Sequence, residues 1–321
     1  MAPDETPMSI PIISDHKVEQ IDSGQIPTPN HWRSRRLYIR QRGAENWCNV
    51  VHHSSYPLQG GDPYDLKKNR RAAIDLVSVA TMISLGPGDA LHDLDIVAQL
   101  RINRPDLVYI PLDLSRYLLK LAIQNLMGHV HIPAGLQCDF EQIPTSLKRR
   151  IANLSINPVL FSMFGGTIGN LDLGERHFFA RMLNLMGKND RFLIDVPLAG
   201  PGWTVERDPR FNKETYTDEF KQFIAFSLTK FKPEFNNPIS PEASEERIDC
   251  RIGKSGDLPN TKTVTIFDRP TNQVILRFCR YDWESIVSWL ANHGFEILFL
   301  RCSLKDDRDI FGMGIIMLGL S

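Results

Sequence analysis

Met82-Ile83-Ser84-Leu85-Gly86-Pro87-Gly88-Asp89 decides the fold. Four mostly apolar residues followed by a glycine turn read as a buried strand that stops abruptly, and Leu91 to Leu100 then reads as a helix. Moving outward, Leu107 to Leu112 repeats the strand and ends in Asp113, and a helix from Ser115 to about Leu126 follows. A weaker strand leads to Cys138-Asp139-Phe140, Val159 to Phe164 is a fourth strand, and Arg191 to Val196 is a fifth. Strands that alternate with helices in this way predict a parallel sheet with helices on both faces. Upstream, Asp65 to about Ser78 reads as a helix.

Residues 201–282 break the alternation. A helical stretch from Glu214 to about Lys230 precedes three strand-like pieces, so this span is expected to be an inserted, β-rich α+β substrate domain. A helix at Asp282–Asn292 and strands at Phe295–Leu300 and Gly312–Leu318 complete the sheet with an antiparallel edge. The expected division is therefore a ligand-binding sheet domain over residues 31–200 and 283–321, the insert, and an arm or lid over residues 1–30, rich in proline and acidic residues.

The chain has 321 residues, 42% hydrophobic and 23% charged, enough for a sizeable core. Lys and Arg number 37 against 38 Asp and Glu, so there is no bulk attraction for nucleic acid or an anionic membrane. No apolar run reaches the roughly 20 residues of a membrane span. The first residues lack a basic and an apolar signal region, and the five scattered cysteines form no CxxC pair, so a cytoplasmic location is expected. Neither the cysteines nor the histidines have metal-ligand spacing, so no metal is expected.

Three features fall at the carboxyl ends of successive strands, where open α/β sheets bind ligands. Gly86, Pro87 and Gly88 let backbone approach a ligand, as they would in any tight strand-to-helix turn. Asp113 can accept both hydroxyls of a ribose, or cap the following helix. Asp139 can take an exocyclic adenine amine while Phe140 packs on the base, or these two are a cap and a core residue. In this order they describe an adenosine-binding edge. The turn departs from GxGxxG and lacks the Lys-Ser/Thr of a P-loop, which favours S-adenosylmethionine over a dinucleotide or ATP. A fourth feature, Phe164-Gly165-Gly166-Thr167-Ile168-Gly169-Asn170-Leu171, ends strand four, where a methyl donor meets its acceptor in this architecture.

This last string resembles that of the histidine-specific S-adenosylmethionine-dependent methyltransferase family, which carries G-[GS]-T-I-G-N-L at the same place. Tyr38-Ile39-Arg40-Gln41-Arg42-Gly43-Ala44-Glu45-Asn46-Trp47 is similar to the family's aromatic-D-x-R-G-S-E-L-F segment, and Tyr56-Pro57 to its Y-Y-P. The resemblance implies a class I methyltransferase (Rossmann-like) sheet with an inserted substrate domain. It implies that Gly86, Gly88, Asp113, Asp139 and Phe140 hold S-adenosylmethionine, and Pro87 and Gly165 are expected beside them in the cofactor site. Asn170 would hold the amino or carboxylate group of an amino-acid substrate, and Tyr216 would be a substrate-binding tyrosine. Trp47, Tyr56, Leu276 and Phe278 are the further residues expected against the substrate.

The departures define the expected chemistry. His92 stands where the family usually has a lysine. Before Arg280-Tyr281, histidine-methylating members carry T-E-I-S, whose Glu and Ser hydrogen-bond the imidazole; on a gapless match Leu276 and Phe278 replace them. A pocket without those partners leaves a buried ring N–H unpaired. The expectation is methyl transfer to the amine of an amino-acid-like small molecule other than histidine. The protein would act as a monomer or homodimer, with no nucleic-acid or membrane partner. Asn170 and Tyr216 would orient the amine. Two alternatives keep the same cofactor: attack of its own amine on its γ-carbon, releasing methylthioadenosine and a cyclic amino acid, or a binding module without catalysis.

Overall fold

The computed structural model describes residues 10–26, 34–54, 56, 58, 62, 64–208, 217–229, 247–254, 258–305 and 309–321. In chain order they form β1 (Ile12–Ser14), α1 (His16–Ser23), α2 (Arg40–His52), α3 (Leu66–Ile74), β2 (Thr81–Leu85), α4 (Leu91–Asn103), β3 (Val108–Asp113), α5 (Arg116–Leu126), β4 (Gly135–Gln137), α6 (Thr145–Leu154), β5 (Val159–Met163), α7 (Glu175–Leu185), β6 (Arg191–Ala199), α8 (Asp218–Thr229), β7 (Ile248–Lys254), β8 (Lys262–Asp268), β9 (Gln273–Arg280), α9 (Trp283–Ala291), β10 (Phe295–Cys302) and β11 (Phe311–Leu320).

Eight strands make one sheet in the order β1-β4-β3-β2-β5-β6-β11-β10. β1 to β6 pair in parallel, and β11 and β10 close the sheet antiparallel. Less the first strand, this is the seven-stranded class I methyltransferase arrangement, with the order reversing between β2 and β5, so a crevice opens at the carboxyl ends of those strands. All five residues of β2 and of β5 are buried, as strands covered on both faces require. One apolar layer joins Ile83, Ile110 and Phe161 to Phe178 and Trp289; the other joins Met82, Tyr109 and Leu160 to Ile96 and Leu126.

β7, β8 and β9 form a separate three-stranded antiparallel sheet, the core of the insert. Two features differ from the expected division. The arm is not separate: β1 pairs with β4, extending the sheet, and Asp15 caps α1 through its side chain. The segment around α2 belongs to the insert as much as to the sheet domain. Leu37 joins Phe223, Ile224, Val264, Ile266, Leu276 and Phe278 in one core, with Tyr38, Trp47 and Val50 packed against it. Gly43 makes this approach possible, because a Cβ there would lie 2.6 Å from the Leu37 carbonyl oxygen and 2.8 Å from the Phe226 ring. A periodicity reading does not reveal α2, since its buried face is built of Gly43, Ala44, Cys48 and Val51 and is apolar only by being small.

The insert is fixed to the sheet at its last strand. Tyr281 exchanges backbone hydrogen bonds with Pro197 and Ala199, and its hydroxyl donates to Glu175 at 2.8 Å or to the Ile168 carbonyl at 2.9 Å. Next to it the fully buried Arg280 forms an ion pair with Asp208 at 2.7 Å, and Trp203 Nε1 donates to the same carboxylate. Among the described residues no helix is long and apolar enough to cross a membrane.

Candidate active site

One cavity of about 360 Å³ lies at the carboxyl ends of β2, β3, β4 and β5, roofed by α2 and the insert. Its floor is the predicted edge. Gly86, Pro87, Gly88, Asp113, Asp139, Phe140, Gly165 and Asn170 all line it, brought together from four strand ends. Gly88 has φ of +61°, and a Cβ there would meet the Trp47 ring at 2.3 Å, so neither the turn nor the packing of α2 across it tolerates a side chain.

Asp113 ends β3 with Oδ1 accepting from Ser115 N at 2.9 Å and Oδ2 from Gly88 N at 3.3 Å. Burial pushes its carboxyl up to about 7, against those backbone donors. This carboxylate therefore ties the glycine turn to the strand beside it and keeps lone pairs toward the cavity. Because its value in the folded protein exceeds the ordinary one, the folded chain holds a proton that the unfolded chain has lost between about pH 4 and pH 7. Its contribution to stability is complete below that window and is lost as the pH rises through about 7. Binding a ribose runs the other way, because the ionised form is the better acceptor. Affinity for S-adenosylmethionine is expected to rise about tenfold from about pH 6 to about pH 8, measured by calorimetry, with Asp113→Asn reducing that rise.

Arg35 and His52 line the cavity but escape a sequence reading, because their partners come from distant segments. Arg35, in the short 3₁₀ turn Ser34–Leu37, lies 3.1 Å from Asp139, 2.7 Å from Glu141 and 3.8 Å from Asp172. His52 at the end of α2 meets Asp89 at 2.5 Å. His92 lines the cavity beside Gly165, its value lowered by burial and then by Arg70. Asp195 accepts from Gly165 N at 2.9 Å and from Arg70 Nε at 3.1 Å, which fixes the end of β5.

Asn170 closes the 3₁₀ turn Thr167–Asn170 after β5. Its Oδ1 is buried with no hydrogen-bond partner among the described residues. An unsatisfied buried acceptor costs about 1–3 kcal/mol, so a donor brought into the cavity would gain by pairing with it.

The expected substrate residues divide. Trp47, Tyr56 and Phe278 line the cavity with Tyr38, Phe220 and Phe223, giving it a large aromatic share. Leu276 does not take part; it is fully buried in the insert's core, directly across from Ile266 on β8. Of these two positions Phe278 alone lines the cavity, at the strand end nearer the sheet. Tyr216 lies outside the described residues. No group of three or more metal-ligating side chains occurs among the described residues.

The strand order and this adenosine-sized crevice define a class I S-adenosylmethionine-dependent methyltransferase. The profile of the family described as histidine-specific methyltransferase, SAM-dependent, matches residues 20–242, and the chain belongs to that family. A comparison with curated protein sequences found no match. Among solved structures, the chain is similar to a S-adenosylmethionine-dependent methyltransferase from Clostridium acetobutylicum (13% identity, TM-score 0.41, 80% of this chain and 90% of that one). It is also similar to magnesium protoporphyrin IX methyltransferase from Synechocystis (10% identity, TM-score 0.41, 89% and 97%), and to the glycopeptide N-methyltransferase MtfA (10% identity, TM-score 0.42, 88% and 98%).

The residues present fit the cofactor. The left-handed glycine turn, the Asp113 carboxylate and the Asp139-Phe140 pair line one continuous wall. When bound, S-adenosylmethionine supplies an activated methyl group on a positively charged sulfur. Gly86, Gly88 and Gly165 would hold its amino-acid end, Asp113 its ribose and Asp139 with Phe140 its base.

Proposed function

We propose that this methyltransferase acts on the amine of an amino-acid-like small molecule with an apolar or aromatic side chain, and not on histidine. The observation that carries the reading is the buried Oδ1 of Asn170, which has no hydrogen-bond partner among the described residues and is an acceptor suited to the N–H of an incoming amine. Asn170 follows the end of β5, and Tyr38, Trp47, Phe223 and Phe278 line the same cavity. Those rings accommodate a flat apolar group and offer little to pair an imidazole N–H.

The chain's own residues then have three tasks. Asn170 orients the amine so that its lone pair points along the line of displacement. The aromatic side chains exclude water, which favours the neutral amine over the ammonium. Asp195 holds the Gly165 amide and so keeps the strand end rigid beneath the reacting groups. No strong base is required, because the leaving group is already good, and the rate is expected to follow the fraction of neutral amine.

The test is mass spectrometry of S-adenosylmethionine incubated with the protein, with and without a pool of amino acids and their derivatives. S-adenosylhomocysteine formed only with the pool, together with an acceptor that gains methyl mass, is the expected outcome. Histidine supplied alone is expected to give no turnover at micromolar concentrations; a micromolar KM for it would refute the exclusion. Methylthioadenosine formed without the pool would mean that the cofactor itself is consumed.

A further inference from the structure

Arg35 lines the cavity, and the methyl-transfer reading gives it no task. Its guanidinium is buried, and it faces three carboxylates from two segments. Asp139 caps the 3₁₀ turn Phe140–Gln142, Glu141 lies within that turn, and Asp172 follows the Thr167–Asn170 turn. The cluster is closed by backbone. Glu141 accepts from the Asp172 and Leu173 amides at 3.0 and 2.8 Å. Asp172 in turn accepts from the amides of Ser34 and Arg35 at 2.9 and 3.3 Å. His177 on α7 is 3.2 Å from the Glu141 carbonyl oxygen. Backbone thus fixes the carboxylates, and their charges place the guanidinium, one end of which lies against Asp139.

We propose that Arg35 is a positioning residue that sets which purine the site accepts, by keeping Asp139 an ionised acceptor facing the cavity. The inference rests on the reading of Asp139 as the partner of the cofactor's base. An ionised carboxylate can only accept, so it suits the exocyclic amine of adenine and repels the 6-oxo group of hypoxanthine; a neutral carboxyl group also donates, and so serves that 6-oxo group as well. Ionised Asp139 therefore selects adenine, and protonated Asp139 abolishes or inverts the choice.

The balance is close. Burial pushes Asp139 up to about 7, with Arg35 opposing the rise and Glu141 and Asp172 adding to it. Glu141 is raised by the same burial and likewise opposed by Arg35. With the cation gone, two neighbouring carboxylates and desolvation all act to protonate Asp139.

The experiment compares calorimetric affinities for S-adenosylhomocysteine and its inosine counterpart, S-inosylhomocysteine, on the full chain. The ratio of the two cancels everything they share, including the titration of Asp113 against the ribose. Wild type is expected to favour the adenine compound by roughly 10- to 100-fold at about pH 8, and the ratio should collapse toward unity by about pH 5.5. Arg35→Met is expected to show the collapsed ratio already at about pH 7.5, and Arg35→Lys to keep most of the wild-type ratio. Asp139→Asn should remove the pH dependence, because a carboxamide can accept and donate at any pH.

An unchanged ratio in Arg35→Met at about pH 7.5 would overturn the proposal, as would a wild-type ratio constant from about pH 5.5 to 8. The second observation needs no variant, so the proposal stands or falls even where Arg35→Met does not fold. Failure of wild type to bind either compound would instead overturn the cofactor assignment. Binding of both without preference at any pH would place the base elsewhere than Asp139.

Discussion

Replacing Asn170 with alanine is expected to lower kcat roughly 100-fold or more while changing the affinity for S-adenosylmethionine by less than about threefold. The split follows from position. Asn170 closes the turn after β5, whereas the proposed contacts to the base and ribose come from the ends of β3 and β4. The sign of the stability change is a second reading of the same residue. Its Oδ1 is buried without a partner among the described residues, so removing it relieves an unsatisfied group. The variant should unfold at the same temperature as wild type or slightly above. Loss of turnover together with loss of stability would mean that Asn170 is structural, and equal turnover would remove it from the mechanism. Single-turnover kinetics and thermal denaturation decide between these.

Asp195→Ala has the largest expected effect on folding, about 3–5 kcal/mol. Asp195 is fully buried, and the Arg70 side chain it faces is 3% exposed. The substitution leaves a guanidinium without its counter-charge, and it also strips the Gly165 amide of its acceptor. Arg70 stacks over Phe164 at 4.4 Å, so the disturbance reaches the strand end on both sides of Gly165. Turnover is therefore expected to fall in the fraction that remains folded. Replacing both partners, as Arg70→Leu with Asp195→Leu, should cost less stability than Asp195→Ala alone, since no orphan charge remains. Urea denaturation of the three proteins measures this. A single variant within 1 kcal/mol of wild type would show that water reaches the guanidinium.

The sheet was legible because its strands are buried on both faces and therefore read as continuous apolar runs, each ended by a glycine or an aspartate. That punctuation located Gly86, Gly88, Asp113, Asp139 and Asn170 at the mouths of β2 to β5, where all of them line the cavity. What stayed hidden was held by long-range pairing. β1 is three residues long and becomes a strand only by pairing with β4. Arg35 gives no signal in a run of basic residues until Asp139, Glu141 and Asp172 are placed around it. Leu276 was misassigned for a different reason. A gapless match fixes register but not which residues reach past the strand end, and β9 carries a bulge against β8 between its Leu276 and Val274 partners.

The mixed core under the cavity's roof bears on how the chain comes to be folded. Leu37, Tyr38, Trp47 and Val50 pack with residues beyond 220, and the Arg277 amide donates to the Ser34 hydroxyl across 243 residues of sequence. Closing so long a loop carries a larger entropy cost than local pairing, and it is recovered only when both sides are present. During synthesis the segment around α2 emerges first and its partners last, at roughly 5–20 residues per second, so its apolar side is without its cover for on the order of ten seconds or more. The small residues on its buried face, Gly43 and Ala44 among them, leave it little to aggregate with in that interval. The same economy that hides α2 from a periodicity reading thus protects the nascent chain while the roof of its active site waits to be built.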